Sequence, residues 1–224
     1  MSLPPYCPPC FPSLPPWLSR ASWPSFPSWH LRPAELRIDV GPQTSRPLGD
    51  ELQDIYTQLN KPEGRLGGLP EEGMQDPEFV IRSREADGEH YVYVEDIRQQ
   101  RLAGYTVFNR LIEVGRQADR YIRAPHSKYD VAYQRRGLAT AVYQRGLASG
   151  LCLVSGARQS AGAHALWRAL ARNYDWGFVD LRNKRLRYLG REISPQVQED
   201  LHTRIFLLGE GWTLARFSEA AGMS

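Results

Sequence analysis

Lysine is almost missing from this chain of 224 residues. Lys61, Lys128 and Lys184 are the only three among 28 basic residues, and the rest are arginine. The bias reads as compositional rather than functional. Cysteine is equally rare, and three thiols make no disulfide framework. Cys7-Pro8-Pro9-Cys10 lacks both the second ligand pair of a zinc site and the surroundings of a thioredoxin-like redox motif. No metal is expected. No apolar run approaches the roughly 20 residues of a membrane span. The first residues lack the basic stretch and continuous apolar segment of a secretory leader, so a cytoplasmic location is expected. Neither sign of charge dominates. The formal net charge of +3 permits a nucleic-acid partner but does not require one. Two phosphate-binding patterns are absent as well: G-x-x-x-x-G-K-[S/T], and G-x-G-x-x-G after a first strand.

The organising stretch is Val131–Asn173. It opens with Gln134-Arg135-Arg136-Gly137-Leu138-Ala139, a glycine-punctuated turn running into a helical pattern of Leu138, Ala141, Val142 and Leu147. Leu151-Cys152-Leu153-Val154 reads as a buried strand. Ala163, Leu166, Trp167 and Leu170 then lie on one face of a second helix. Such a loop suits an anion. The first turn of a helix leaves backbone N–H groups without partners, and the helix dipole adds partial positive charge. Gly137 has no side chain to block that backbone. Arg135 and Arg136 add charge and forked donors. A pyrophosphate is the natural guest, and an ordinary basic loop–helix junction is the alternative.

Gln134-x-x-Gly137-x-Ala139 resembles the Q/R-x-x-G-x-G/A signature of the GNAT N-acetyltransferase superfamily. Further matches follow it. The family's last helix carries roughly Asn-x-x-Ala-x-x-Leu-Tyr, and the corresponding positions here are Ser160, Ala163, Leu166 and Trp167. Gly177-Phe178 resembles the Gly-Phe pair that often opens the next strand. The similarity extends over about residues 36–190. It implies acetyl-coenzyme A as co-substrate, its pyrophosphate held by backbone amides near Arg135–Ala139 and its pantetheine arm running between splayed strands. The cofactor-binding residues so implied are Val131, Gln134, Arg135, Arg136, Gly137, Leu138, Ala139, Thr140 and Ser160. The hydroxyl of Ser160 has capping of the last helix as its other role.

The remaining segments fit an α/β (α+β) fold: a mixed, mostly antiparallel central sheet with flanking helices. Residues 1–33 form an arm rich in Pro and Ser, with Trp17, Trp23 and Trp29 at even spacing. Repeated X-Pro bonds make it extended or disordered. It is either a plain tail or a docking arm for a protein partner or for self-association. Residues 34–190 form the acetyltransferase-like domain, and 191–224 an extension packing on it. Leu36–Val40 alternates as a strand, and Leu48–Asn60 has helical spacing. Asp76-Pro77-Glu78 signals a helix start to about Glu85, although Phe79-Val80-Ile81 are good strand formers. His90–Asp96 and Leu102–Leu111 make a hairpin. Arg120–Val131 is the cofactor strand, in which Pro125 implies an edge, a bulge or a break. Phe178–Tyr188 reads as a strand or a hairpin around Arg182-Asn183-Lys184. A helix runs from Ser194-Pro195 to about His202, Thr203–Leu208 is a last strand, and Gly209–Ser224 a tail.

Acetyl transfer needs a neutral amine, a donor for the oxyanion and an acid for the leaving thiolate. By resemblance the acid is often the Tyr that this chain replaces with Trp167, whose indole cannot serve. Tyr174, about two turns on, is the substitute candidate. Asp130 and His126, on or near the cofactor strand, are candidate bases, and Glu95 and Glu113 belong to the hairpin. His164 and Cys152 read as structural. The expected function is transfer of an acetyl group from acetyl-coenzyme A to an amine on a small molecule or protein. The alternative is a non-catalytic scaffold docked through the arm. The acceptor is open, and an anionic one such as nucleic acid is the minority reading.

Overall fold

A computed structural model describes residues 47–224. The arm, Cys7 and Cys10, the three evenly spaced tryptophans and the strand expected at 36–40 lie outside the described residues. Helix α1 (Leu48–Leu59) comes first, followed by strands β1 (Glu71–Gly73), β2 (Phe79–Ala86), β3 (Glu89–Asp96) and β4 (Arg101–Asn109). A short α2 (Arg116–Asp119) leads to β5 (Ile122–Tyr129) and α3 (Leu138–Ala148). Then come β6 (Cys152–Val154), α4 (Ala161–Leu170), β7 (Trp176–Arg182), β8 (Arg185–Gly190), α5 (Pro195–Gln198), β9 (Thr203–Leu207) and α6 (Leu214–Ala221). The described strands form one sheet in the order β1-β2-β3-β4-β5-β6-β9-β7-β8. It is mixed and mostly antiparallel with flanking helices, as expected. The parallel neighbours are β5 and β6.

Side-chain alternation along β5 sorts the helices onto two faces. Lys128 reaches Glu51 of α1, and Ile122 packs in one cluster with Ala118 of α2 and Phe217 of α6. These even-numbered positions define one face. Odd-numbered Ser127 meets Tyr143 of α3 on the other. In α3 the residues Leu138, Val142, Tyr143, Gly146 and Leu147 are buried at helical spacing. Gly146 brings that helix close to the sheet, because a Cβ there would sit 2.9 Å from the Phe108 ring. The C-terminal end of α1 is fastened to the sheet by buried Arg82. It donates to the Leu59 carbonyl (3.1 Å), where the helix dipole favours a cation, and pairs with buried Glu95 (3.0 Å).

Three expectations need correction. Residues 79–86 form a strand, not a helix. Asp76 does cap, since Oδ1 accepts the Glu78 N–H at 3.1 Å. That turn opens β2, whose pairing with β3 buries Phe79 and Ile81. The helix after Ser194 stops at Gln198, and a turn at Asp200, whose carboxylate accepts the His202 N–H, redirects the chain into β9. Residues 209–224 are no tail: Thr213 caps α6, and Phe217 is fully buried. The segment after residue 190 also supplies β9, which lies between β6 and β7 inside the sheet.

Candidate functional site

The site begins where β5 leaves β6. Their ladder joins Ile122 to Cys152 and Arg123 to Leu153 and ends there, while β5 continues to Tyr129. The Tyr121 carbonyl accepts the Cys152 N–H. Strand alternation therefore turns the backbone groups of 123, 125, 127 and 129 toward β6. Pro125 falls at the first of these positions past the ladder. Its missing N–H faces the split, so no ladder bond is lost, and the Pro is a break between two strands rather than an edge or bulge. The backbones of Ser127 and Tyr129 line the opened gap.

At the far end of β5 the chain turns through a short 3-10 segment, Val131–Tyr133. Gln134 fixes the turn by donating its amide to the Tyr129 carbonyl (3.1 Å). Arg135 (φ +62°) and Gly137 (φ +80°) both adopt the left-handed region. Gly137 precedes the first turn of α3, and no side chain caps that turn. Nothing lies within 4 Å of where a Gly137 Cβ would be. The N–H groups of Leu138, Ala139 and Thr140 thus open onto clear space. Leu138 itself anchors the turn in the core, and Val131 is exposed.

The two arginines of the loop differ. Arg135 makes no ion pair among the described residues and stands exposed. Arg136 stacks over Phe79 (4.7 Å) and Tyr133 (5.7 Å) and pairs with Glu78 (3.3 Å) and Asp76 (3.6 Å). It borders a cavity of about 360 Å³ lined also by Asp96, Arg98, Gln99, Arg101 and Tyr133. There each arginine faces a carboxylate: Arg98 with Glu78 (2.5 Å) and Arg101 with Asp130 (3.2 Å). Burial and the hydrogen bond to Asp96 push the Tyr133 hydroxyl up to about 12. The cavity is neutralised from within, so the positive end of α3 is the better anion cradle.

The other candidates are distributed as follows. Asp130 accepts from the Ala132 N–H (2.9 Å) in addition to pairing with Arg101, so its carboxylate is occupied structurally. His126 is exposed on the α1 face of β5. Ser160 caps α4 by accepting the Ala163 N–H (3.2 Å). Both α3 and α4 start at the end of the sheet where β5 finishes. Tyr174 lies at the opposite end. It precedes Trp176, which is level with Leu207, and through it with Leu153 and Arg123. The six residue steps from Arg123 to Tyr129 span about 20 Å, so Tyr174 is not brought to the loop. Trp167 is buried, edge-on to Tyr143 (6.0 Å). Glu113 pairs with Arg204 (3.5 Å). Burial raises the carboxyl of Glu95 and pushes the Cys152 thiol up to about 12, leaving the thiol inert. Burial, with Arg168 nearby, lowers His164.

A cluster that sequence reading missed sits beside His126. Glu51 of α1 accepts from Lys128 Nζ (2.8 Å and 3.0 Å) and from the Tyr105 hydroxyl (2.5 Å). Lys128 lies 77 positions away, a separation that no local pattern spans. The lysine hydrogen bond, then that of Tyr105, holds the Glu51 carboxyl below its ordinary value of 4.5. A depressed carboxyl stabilises the fold above its ordinary value, and that contribution is lost as pH falls through the folded value. Glu51→Gln should therefore flatten the acid limb of the stability–pH curve below about pH 4.5, as urea melts in a pH series would show. An unchanged limb would mean that the pair adds nothing.

No protein-family model matches the chain, and no curated protein does. Solved structures do. One is a GNAT superfamily phosphinothricin acetyltransferase from Sinorhizobium meliloti in complex with AcCoA. It is 21% identical, with 55% of this chain and 63% of that one covered, at a TM-score of 0.35. The chain thus spans less than two thirds of that acetyltransferase. Another is a ribosomal-protein-S5-alanine acetyltransferase from Vibrio fischeri, 11% identical, covering 74% of this chain and 91% of that one, also at 0.35. Scores this low carry no argument for fold or activity, and the chemistry of the site rests on its own geometry.

Proposed function

We propose that the protein transfers an acetyl group from acetyl-coenzyme A to an amine. The observation that carries this is the split between β5 and β6, which ends at the uncapped start of α3 behind Gly137. A long ligand with an anionic middle and a polar amide-bearing arm fits both parts at once. The N–H groups of Leu138, Ala139 and Thr140 would hold the pyrophosphate, with Arg135 adding charge from outside. Backbone groups of Ser127 and Tyr129 would pair with the arm. The bound group supplies a thioester, an acyl carbon open to attack by an amine. The α1 face of β5 is left for the acceptor, where His126 stands exposed two residues from Lys128. Among the described residues no helix is long and apolar enough to cross a membrane.

The test is calorimetric titration of acetyl-coenzyme A into the full chain, followed by detection of free thiol with an amine panel. Micromolar-range binding with thiol release is the expected result. A folded protein that binds no acetyl-coenzyme A would sink the reading. Binding without release from any amine would favour a coenzyme-binding scaffold, which the buried Trp167 also suits.

A further inference from the structure

On the α3 face of the sheet, four hydroxyl groups lie in a row. Ser127 Oγ donates to the Tyr143 hydroxyl (3.3 Å). Ser127 Oγ also meets Thr106 Oγ1 (2.8 Å), and Thr106 Oγ1 meets the Tyr129 hydroxyl (3.3 Å). Four O–H groups share three contacts, so one proton is always left over. With Ser127 donating to it, Tyr143 holds that proton. Tyr143, Thr106 and Tyr129 are buried, whereas Ser127 is half-exposed, on the part of β5 that has lost its β6 partner. The row therefore reaches solvent through Ser127, on the stretch of β5 beyond the β6 ladder. The Tyr143 ring is fixed by Phe108 (6.0 Å) and Trp167 (6.0 Å). An apolar cradle aims a donor well but offers its proton no partner.

We propose that the Tyr143 hydroxyl, backed by Ser127 and Thr106, is the donor that meets the leaving sulfur at the β5–β6 split. The assignment rests on the acetyl-transfer reading. In that reaction the amine lone pair forms the C–N bond, and the C–S electron pair leaves with sulfur. The sulfur takes the Tyr143 proton, Tyr143 is recharged through Ser127 from water, and the amine nitrogen releases one proton to water. Burial raises Tyr143 above its ordinary range, so it enters each turnover protonated.

Free coenzyme A tests this without a known acceptor. A donor aimed at sulfur favours the thiolate. The thiol of coenzyme A bound to wild type, followed by thiolate ultraviolet absorbance against pH, should titrate about one unit below the free thiol. Tyr143→Phe keeps the ring and should return most of that shift, with the dissociation constant changed less than about threefold, since one remote hydrogen bond is lost. Ser127→Ala should move the thiol in the same direction by less, and it serves if the phenylalanine variant fails to fold. A hydroxyl that merely fastens α3 would lower the melting temperature and leave the thiol titration alone. Identical titrations in wild type and Tyr143→Phe would overturn the proposal while leaving acetyl transfer standing. A wild type that binds no coenzyme A would overturn both.

Discussion

Gly137→Glu is expected to abolish measurable acetyl-coenzyme A binding while the protein stays folded. Two effects add. The residue sits at φ +80°, where a side chain costs about 1–2 kcal/mol, and the loop would relax away from its present shape. The new carboxylate would also project into the clear space before the first turn of α3. Like charges about 4 Å apart at a protein surface repel by roughly 4 kcal/mol. Even half of that weakens binding well beyond about tenfold. Gly137→Ala carries the backbone cost without the charge and should bind more weakly than wild type but far better than the glutamate variant. Calorimetry on the three proteins, with a thermal melt of each, separates the two effects. Undiminished binding by the glutamate variant would place the anion elsewhere.

Phe217→Ala should be among the most damaging single changes in the chain. The ring is fully buried, 4.9 Å from Phe206 of β9 and 5.7 Å from Trp212. Removing a core phenylalanine costs about 3–5 kcal/mol, because a cavity is added to the lost burial. For a domain of this size, that lowers the melting temperature on the order of 10 °C. Differential scanning calorimetry would show it. A shift of a degree or two would mean that α6 is dispensable, as a tail would be.

These two residues mark the range of what the sequence discloses. The loop at Gln134–Ala139 is legible because its chemistry is local: a glycine, a helix start and an adjacent strand. The β3–β4 hairpin is legible from alternation, and α1 from its apolar spacing. Phe79–Ala86 misleads for a physical reason. The Asp76 cap is real, but it closes a turn, and hairpin pairing with β3 across the Asp87-Gly88 turn outweighs the local helix signal. Leu214, Phe217 and Ala221 do follow helical spacing, yet eight residues give little periodicity to read. Two parts of the site lie beyond reach. Glu51–Lys128 and Ser127–Tyr143 depend on which face of β5 each helix covers, and only the assembled sheet decides that.

The placement of β9 governs how the chain is made. It lies between β6 and β7, although both are translated before it. A nascent chain ending before Thr203 holds two strands whose facing edges have nothing between them. Unpaired edges invite pairing with other chains, and domains tend to fold as units during synthesis. The β5–β6 split is one border of that same unfinished region, since β6 is joined to β5 by a short ladder and to β9 by another. Ribosome stalling or truncation just upstream of residue 203 should therefore yield aggregates rather than a smaller folded protein, and the proposed coenzyme site should come into being only when β9 is inserted.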